Sequence, residues 1–446
     1  MTQPTTRPTT RTSTQPAERF RRHRPDPQRW PDVATVPASA VRAAVARALL
    51  RSVARRVGLR VELPGGGLLT RTVPPDGAPV LRLADPDAFF HRLGAGGLIG
   101  FGESYQAGEW DSPDLIGMLT ALAGSAQTLV PPRLQWLRRW FTARQPLEQL
   151  GTPENARRNI QSHYDLSNDL FALFLDPTMT YSSAVFPCGA DGAPLASWEL
   201  LERAQHRKID RLLDLAGVRR GSRVLEIGTG WGELALRAAA RGAQVVTLTL
   251  SEEQKQLAER RIAEAGYADR VDVRLCDYRS ATGSYDAVVS VEMVEAVGRT
   301  YWPTYFSTLD RVLAPGGRIA LQAITMPHDR MLASEGTFTW IQKYIFPGGL
   351  LPSVEAVQET LAAHTGLELT GRQGYGTHYA ETLRLWRERF AARAAEVDAL
   401  GFDGVFRRMW TLYLGYSEAG FRSGYLDVQQ LLLTRTGEDD PADAAR

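Results

Sequence analysis

The chain has 446 residues, 43% of them hydrophobic and 23% charged, with a net charge of +2. This is the composition of a soluble globular protein of about two or three domains. It holds no apolar run near the ~18 residues that cross a bilayer and no N-terminal apolar core of a secretory signal. Its two cysteines, Cys188 and Cys276, read as free thiols rather than a disulfide framework, and His, Cys and Met are too scattered to suggest a metal site.

Charge is uneven along the chain. Residues 1–30 carry seven Arg against Glu18 and Asp26, so the rest of the chain is slightly acidic. This stretch is rich in Thr, Pro and Gln and has almost no large apolar residues, so residues 1–33 read as a disordered basic arm. It would either attract anionic head groups or be a solvated tail. Basic charge confined to an arm, rather than spread over a face, argues against a nucleic-acid partner.

Residues 34–145 read as a smaller α+β unit. Its elements are a helix over Val36–Val57, a strand at Leu59–Leu63 running into Pro-Gly-Gly-Gly, and a short strand at Val80–Leu83. A helix capped by Asp85 runs to Leu93, a Gly- and aromatic-rich stretch covers Leu98–Trp110, and Ser112-Pro113 opens a helix through Ala123. Pro131–Trp140 sets Leu134, Trp136, Leu137 and Trp140 among Arg133, Arg138 and Arg139, a helix that suits either a lipid surface or domain packing. Residues 146–205 form a polar and aromatic connecting segment, of the kind that wraps a site.

From Ser197 onward strands and helices alternate. Strands are expected at Arg223–Gly228, Gln244–Leu250, Val271–Cys276, Tyr285–Val291, Arg318–Ile324, Leu367–Thr370 and Val428–Thr434. Helices are expected at Trp198–Leu215, Glu233–Ala240, Glu252–Glu264, Tyr301–Leu313, Ser353–Thr365 and Thr382–Leu400. This is the pattern of an α/β, doubly wound, Rossmann-like sheet of about seven strands. The catalytic unit then spans 206–437 and a flexible tail 438–446.

Ligands in such sheets bind beyond the carboxyl ends of the strands. The first strand ends in Glu226-Ile227-Gly228-Thr229-Gly230-Trp231-Gly232. The spacing E-x-G-x-G-x-G differs from the dinucleotide fingerprint and shifts the expectation toward S-adenosylmethionine (SAM). The second strand ends in Thr249, Ser251 and Gln254 where an acidic ribose ligand would be usual, and Ser251 with Gln254 equally suits a helix capping box. Asp277 and Tyr278 follow the third strand, where an Asp can accept from the adenine amino group. After the fourth strand, Glu292 and Glu295 stand three residues apart beside the expected cleft.

Taken together, Val224–Gly232, Ser290–Gly298, Leu313–Gly317, Tyr344–Gly349, His163–Phe171 and Met179–Ser182 resemble the cyclopropane-fatty-acid synthases and mycolic-acid methyltransferases. Gly102-Glu103-Ser104-Tyr105, followed by Trp110, resembles the N-terminal domain of the full-length bacterial synthases. The resemblance implies SAM-dependent alkylation of the cis double bond of unsaturated acyl chains in membrane phospholipids, through a carbocation. Direct proton loss closes a cyclopropane; proton loss after a hydride shift gives a methylene branch. It also implies cofactor contacts from Tyr181 and Ser182, and a base pocket that holds bicarbonate. Glu295, Ile324 and Tyr379 match the family's ligands to that bicarbonate, whereas Ser183 stands for its Cys and Gln322 for its His. Those two departures make a methylene-forming enzyme of the 10-methyl type a rival to ring formation. Tyr181, Phe338, Trp340, Tyr344 and Phe346 are the aromatic candidates for stabilising a cation, with Phe346 read as core. A cytoplasmic location with peripheral contact at the inner membrane face, a homodimer, and a reductase partner for a methylene product belong to the same expectation. A small-molecule or polyketide methyltransferase, and a non-catalytic SAM- or lipid-binding protein, are the alternatives.

Overall fold

The computed structural model describes residues 25–70, 74–125, 143–144 and 167–435. Most of the basic arm, the Pro131–Trp140 helix, His163 and the C-terminal tail lie outside these residues.

Among the described residues the main sheet has seven strands. They are β5 (Arg223–Ile227), β6 (Gln244–Thr249), β7 (Val271–Leu275), β8 (Tyr285–Val291), β9 (Leu313–Thr325), β11 (Leu367–Gly374) and β12 (Asp427–Arg435). Their order is β11-β12-β9-β8-β5-β6-β7. Strands β5 to β9 run parallel, and β12 lies antiparallel to both β9 and β11. The central β5 is buried over Val224–Ile227, as a strand covered on both faces by helices must be. The chain leaves β5 toward β6 on one side and returns to β8 on the other, so a crevice opens at the carboxyl ends of β5 and β8.

A small sheet of β1 (Arg60–Glu62), β2 (Val80–Leu83) and β3 (Trp110–Asp111) lies in the N-terminal unit. The remaining short strands, β4 (Ala143–Arg144) and β10 (Thr337–Phe338), pair antiparallel. Helix Pro86–Gly96 is capped by Asp85 as expected, its carboxylate accepting from Ala88 N–H at 3.2 Å. The next cap is Asp114 rather than Ser112-Pro113: helix Leu115–Gly124 begins where Asp114 accepts from Gly117 N–H at 2.9 Å. The glycine-rich stretch after Gly97 is itself helical, Leu98–Gln106. One hydrophobic cluster runs without a break from Phe89 and Trp110 through Phe171 and Trp340 to Trp386 and Trp410.

The expected helix over Thr382–Leu400 starts earlier, at Gly376, and breaks at Arg393, where Gly376–Ala392 gives way to Ala394–Ala399. A further helix, Gly404–Arg422, was not expected from the sequence. Gly415 and Gly420 look like helix breakers there. They are instead contact points, since a Cβ would stand 2.8 Å from Ile116 Cδ1 at the first and 2.9 Å from Leu426 Cδ1 at the second. Strand β9 begins at Leu313 and carries an irregularity opposite Tyr285/Ala287, so Pro315-Gly316-Gly317 lies within the strand rather than before it.

Candidate functional site

Beyond the carboxyl ends of β5, β6 and β8 a cavity is lined by Tyr181, Ser182, Glu226, Gly228, Gly230, Thr249, Gln254 and Tyr278, as expected of the cofactor contacts. Lys208, Trp231, Glu292 and Met293 line it too. The turn after β5 is shaped by Gly228 at φ +100°, Gly230 at +52° and Gly232 at +90°. Glu226 braces this turn. Its buried carboxylate accepts from the Thr247 hydroxyl at 2.6 Å, and that hydroxyl sits 2.8 Å from the Thr229 hydroxyl on the loop. Burial pushes the Glu226 carboxyl up to about 8.

Three of the expected cofactor residues do not line the cavity. Gly232 precedes helix Glu233–Ala240 and packs on Ala258, where a Cβ would come to 3.1 Å. Ser251 caps helix Glu252–Glu264 by accepting from Gln254 N–H at 3.2 Å. The capping box is only half formed, because Gln254 Oε1 accepts from the Thr249 hydroxyl at 2.8 Å and holds the end of β6. Asp277 is engaged by Arg279, with two guanidinium contacts of 2.8 Å.

The five residues expected in the base pocket come together from four elements, and their centre is Glu292. Its Oε1 accepts from Ser183 N–H at 2.9 Å and from Gln322 Nε2 at 2.8 Å, and its Oε2 from the Tyr379 hydroxyl at 2.7 Å. Strand β12 sets Gln322: Gln430 is its register partner and donates to its Oε1 at 3.1 Å. Ile324 N–H donates to Glu295 Oε1 at 2.5 Å, and Glu295 Oε2 is buried with no partner. Burial, then the charge of Glu292, pushes Glu295 up to about 8. Burial also raises Glu292, against the nearby Lys208 and its hydrogen bonds, and holds the Tyr379 hydroxyl neutral well above its ordinary range. Lys208 is fully buried, donates to the Ser182 hydroxyl at 2.5 Å, and is depressed to about 8 by burial.

An aromatic wall adjoins this pocket. The Tyr181 and Tyr413 hydroxyls are 2.7 Å apart, Tyr181 lies 5.3 Å from Trp386, and Tyr379 lies 4.6 Å from Phe421 between ring centroids. Phe346, expected in the core, is 36% exposed, beside Tyr413. Trp340 and Tyr344 are bound to the N-terminal unit through Gln106 and Glu103.

The reversed β12 beside five parallel strands, and a glycine turn opening on a braced acidic strand end, define a Rossmann-like SAM-dependent methyltransferase. Solved structures agree. The chain is similar to the cyclopropane synthase MmaA2 from Mycobacterium tuberculosis, with a TM-score of 0.56 at 34% identity over 62% of this chain and 97% of that one. It is equally similar to mycolic acid cyclopropane synthase CmaA1 complexed with SAH and CTAB, at the same score, identity and coverage. The family model for mycolic acid cyclopropane synthetase matches residues 152–431, and the chain belongs to that family. Among its relatives, tuberculostearic acid methyltransferase UfaA1 of Mycobacterium tuberculosis is 55% identical over 415 residues, covering 92% of this chain and 96% of the relative. Cyclopropane-fatty-acyl-phospholipid synthase of Escherichia coli is 34% identical over 362 residues, covering 80% and 88%.

Proposed function

We propose that the protein alkylates the cis double bond of an unsaturated acyl chain in a membrane phospholipid and releases a methylene-branched chain, the precursor of a 10-methyl branch. The observation that carries this reading is the direct adjoining of the cavity at the strand ends, through Glu292, to a largely buried group of paired carboxylates and aromatic faces. Bound SAM supplies an electrophilic methyl group. The glycine turn and the Glu226–Thr247–Thr229 chain would shape its seat, and Thr249 with Gln254 would hold the ribose side. Tyr181, which lines the cavity, would offer a π face to a cation, and burial would keep water from trapping it. Glu295, Ser183, Gln322, Ile324 and Tyr379 build the base pocket. Bicarbonate would need the donors of Ser183, Gln322, Ile324 and Tyr379, and the Ser183 N–H, Gln322 amide, Ile324 N–H and Tyr379 hydroxyl are all engaged by side-chain carboxylates, while the Ser183 hydroxyl donates to Ala184 O.

The branched product is favoured over the ring by the extent of likeness to the tuberculostearic acid methyltransferase, which spans nearly the whole chain. A methylene product keeps one double bond, so its reduction to a methyl branch requires a separate reductase. The test is incubation with SAM and oleoyl phospholipid, followed by mass spectrometry of the fatty acids. A gain of one CH2 unit is expected, and the product should take up hydrogen over a catalyst that leaves a cyclopropane intact. No mass gain on any unsaturated lipid sinks the proposal, and a product that resists hydrogenation restores the ring.

Membrane contact is part of the same proposal. No helix among the described residues is long and apolar enough to cross a membrane. Helix Ala40–Val57 nevertheless leaves Val41, Val45 and Leu49 exposed at 80%, 41% and 49%. These residues lie one turn apart on one face, and Arg42, Arg51, Arg55 and Arg56 are exposed on the same helix. An apolar line flanked by arginine complements an anionic lipid surface. Val45→Asp with Leu49→Asp is expected to weaken co-sedimentation with anionic vesicles by about tenfold or more. Equal binding of the variant and wild type would assign contact to another face. A homodimer, the remaining expectation, is read from sedimentation equilibrium.

A further inference from the structure

Four hydrogen-bond donors converge on two side-chain carboxylates beside the cofactor cavity, and Glu292 takes three of them. The fourth, Ile324 N–H, goes to Glu295. A free anion in this pocket would have to displace a carboxylate that is anchored to the chain and already satisfied. The pocket therefore does not fit bicarbonate.

The backbone carries an independent sign. Glu292 is one of three non-glycine residues at positive φ among the described residues, at +50°. That conformation costs a residue with a Cβ on the order of 1 kcal/mol, and glycine would adopt it freely. The position immediately follows β8 and faces the cavity. The strain is offset by what the side chain does there: it reaches Ser183, Gln322 and Tyr379, which lie far apart in sequence.

The two carboxylates are not equivalent. Burial raises the Glu292 carboxyl, and three donors and the buried Lys208 work against it by favouring the ionised form. Glu295 has one donor, a second oxygen without a partner, and a carboxyl raised to about 8. The donors direct charge to Glu292 and the shared proton to Glu295, the division expected when two acids in different surroundings share one pocket.

We propose that Glu292 is the catalytic base of this enzyme, a built-in carboxylate that stands where a bound anion would otherwise act. The proposal rests on the acyl-chain reading of the site. The alkene π pair forms the new C–C bond to the methyl carbon, and the C–S pair stays on sulfur, leaving a neutral thioether. A 1,2-hydride shift places the positive charge on the methyl-bearing carbon. A proton then leaves the new methyl group for a Glu292 oxygen, and its C–H pair becomes the methylene double bond. The carboxyl pair is then neutral and returns one proton to solvent before the next turnover.

The experiment compares turnover in buffer stripped of carbon dioxide with turnover after bicarbonate is restored. The wild type is expected to run at the same rate in both. Glu292→Gly, which suits the positive φ, should lose turnover by about 10²-fold or more while still binding SAM in calorimetry. Added bicarbonate or formate should restore part of that loss by entering the vacated cradle. Glu292→Gln should lose as much and resist rescue, because its amide still fills the cradle. Glu295→Gln, which keeps a neutral side chain and the acceptor for Ile324, should lose less than either. Thermal melts of each variant separate a folding defect from a chemical one. The proposal is overturned by a wild type that stalls without bicarbonate, by a Glu292→Gly enzyme that matches wild type without added anion, or by a larger loss at Glu295 than at Glu292. A wild type that methylates no unsaturated lipid overturns the acyl-chain reading itself.

Discussion

Gly228→Val is expected to weaken SAM binding by about 10²-fold or more and to remove turnover with it. Gly228 leaves β5 at φ +100°, far outside the region that β-branched residues tolerate. Forcing a side chain into it costs about 1–3 kcal/mol, which is roughly one to two decades of affinity. A second cost adds to this. A Cβ would lie 3.6 Å from Met293 Cγ, on the wall of the cavity, so the branches of valine would extend into space lined by Met293. The loop cannot move aside freely, because Gly228 N–H and Thr229 N–H both donate to Leu248 O, at 3.0 and 3.1 Å, and the Thr229 hydroxyl meets Thr247. Gly228→Ala should show a smaller loss, since it bears the strain without the branches. Calorimetry reads the affinity. A thermal shift gives a second reading, because SAM raises the melting temperature of a protein that binds it and leaves a non-binder unmoved. A Gly228→Val enzyme that binds SAM as tightly as wild type removes the glycine turn from the cofactor site.

Periodicity made the sheet legible. Helices Trp198–Leu215, Glu233–Ala240 and Glu252–Glu264 stand at the expected residues, because each has one apolar stripe and a clear start. Helix Gly404–Arg422 was illegible for the opposite reason. It is buried on most sides and uses glycine for close approach, so helix propensity argues against it. The cavity at the strand ends was legible because it is local: Glu226 to Gly230 and Thr249 to Gln254 are two short stretches at the carboxyl ends of β5 and β6. The base side is assembled from distant parts of the chain. A three-residue spacing of two glutamates says nothing about which will meet donors from residues 183, 322 and 379. Sequence reading favoured Glu295 by motif, while tertiary structure surrounds Glu292 with partners. Lys208 was hidden in the same way, as one polar residue on an amphipathic helix whose burial only the fold decides. Asp277 shows the converse hazard, since an arginine two residues on engages the carboxylate that the sequence offers to adenine.

Gly102→Val is expected to lower both the melting temperature and the rate constant for turnover while leaving SAM affinity intact. A Cβ at Gly102 would stand 2.3 Å from Trp340 Cδ1 and 2.5 Å from its Cγ and Nε1, so the ring must leave its place. Trp340 is 5% exposed and donates to Gln106 at 2.8 Å, so displacement loses packing and a buried hydrogen bond. Together these cost about 2–4 kcal/mol. The effect on turnover follows from what lies beyond the ring. Helix Trp340–Tyr344 is also tied to the N-terminal unit where Glu103 accepts from Lys343 Nζ at 2.6 Å and from the Tyr344 hydroxyl at 2.9 Å. On its far side Gln342 Nε2 donates to Gly349 O at 2.8 Å, and the adjacent Leu350 N–H donates to Glu295 O at 2.8 Å. The motif Gly102-Glu103 thus fixes, through one short helix and one glycine turn, the backbone that carries Glu295 and follows Glu292. The proposed SAM seat at the ends of β5 and β6 has no part in this chain of contacts. Displacing Trp340 should therefore reduce kcat with little change in cofactor affinity. A pronounced fall in melting temperature at an unchanged kcat would show that the N-terminal unit stabilises the fold without positioning the base.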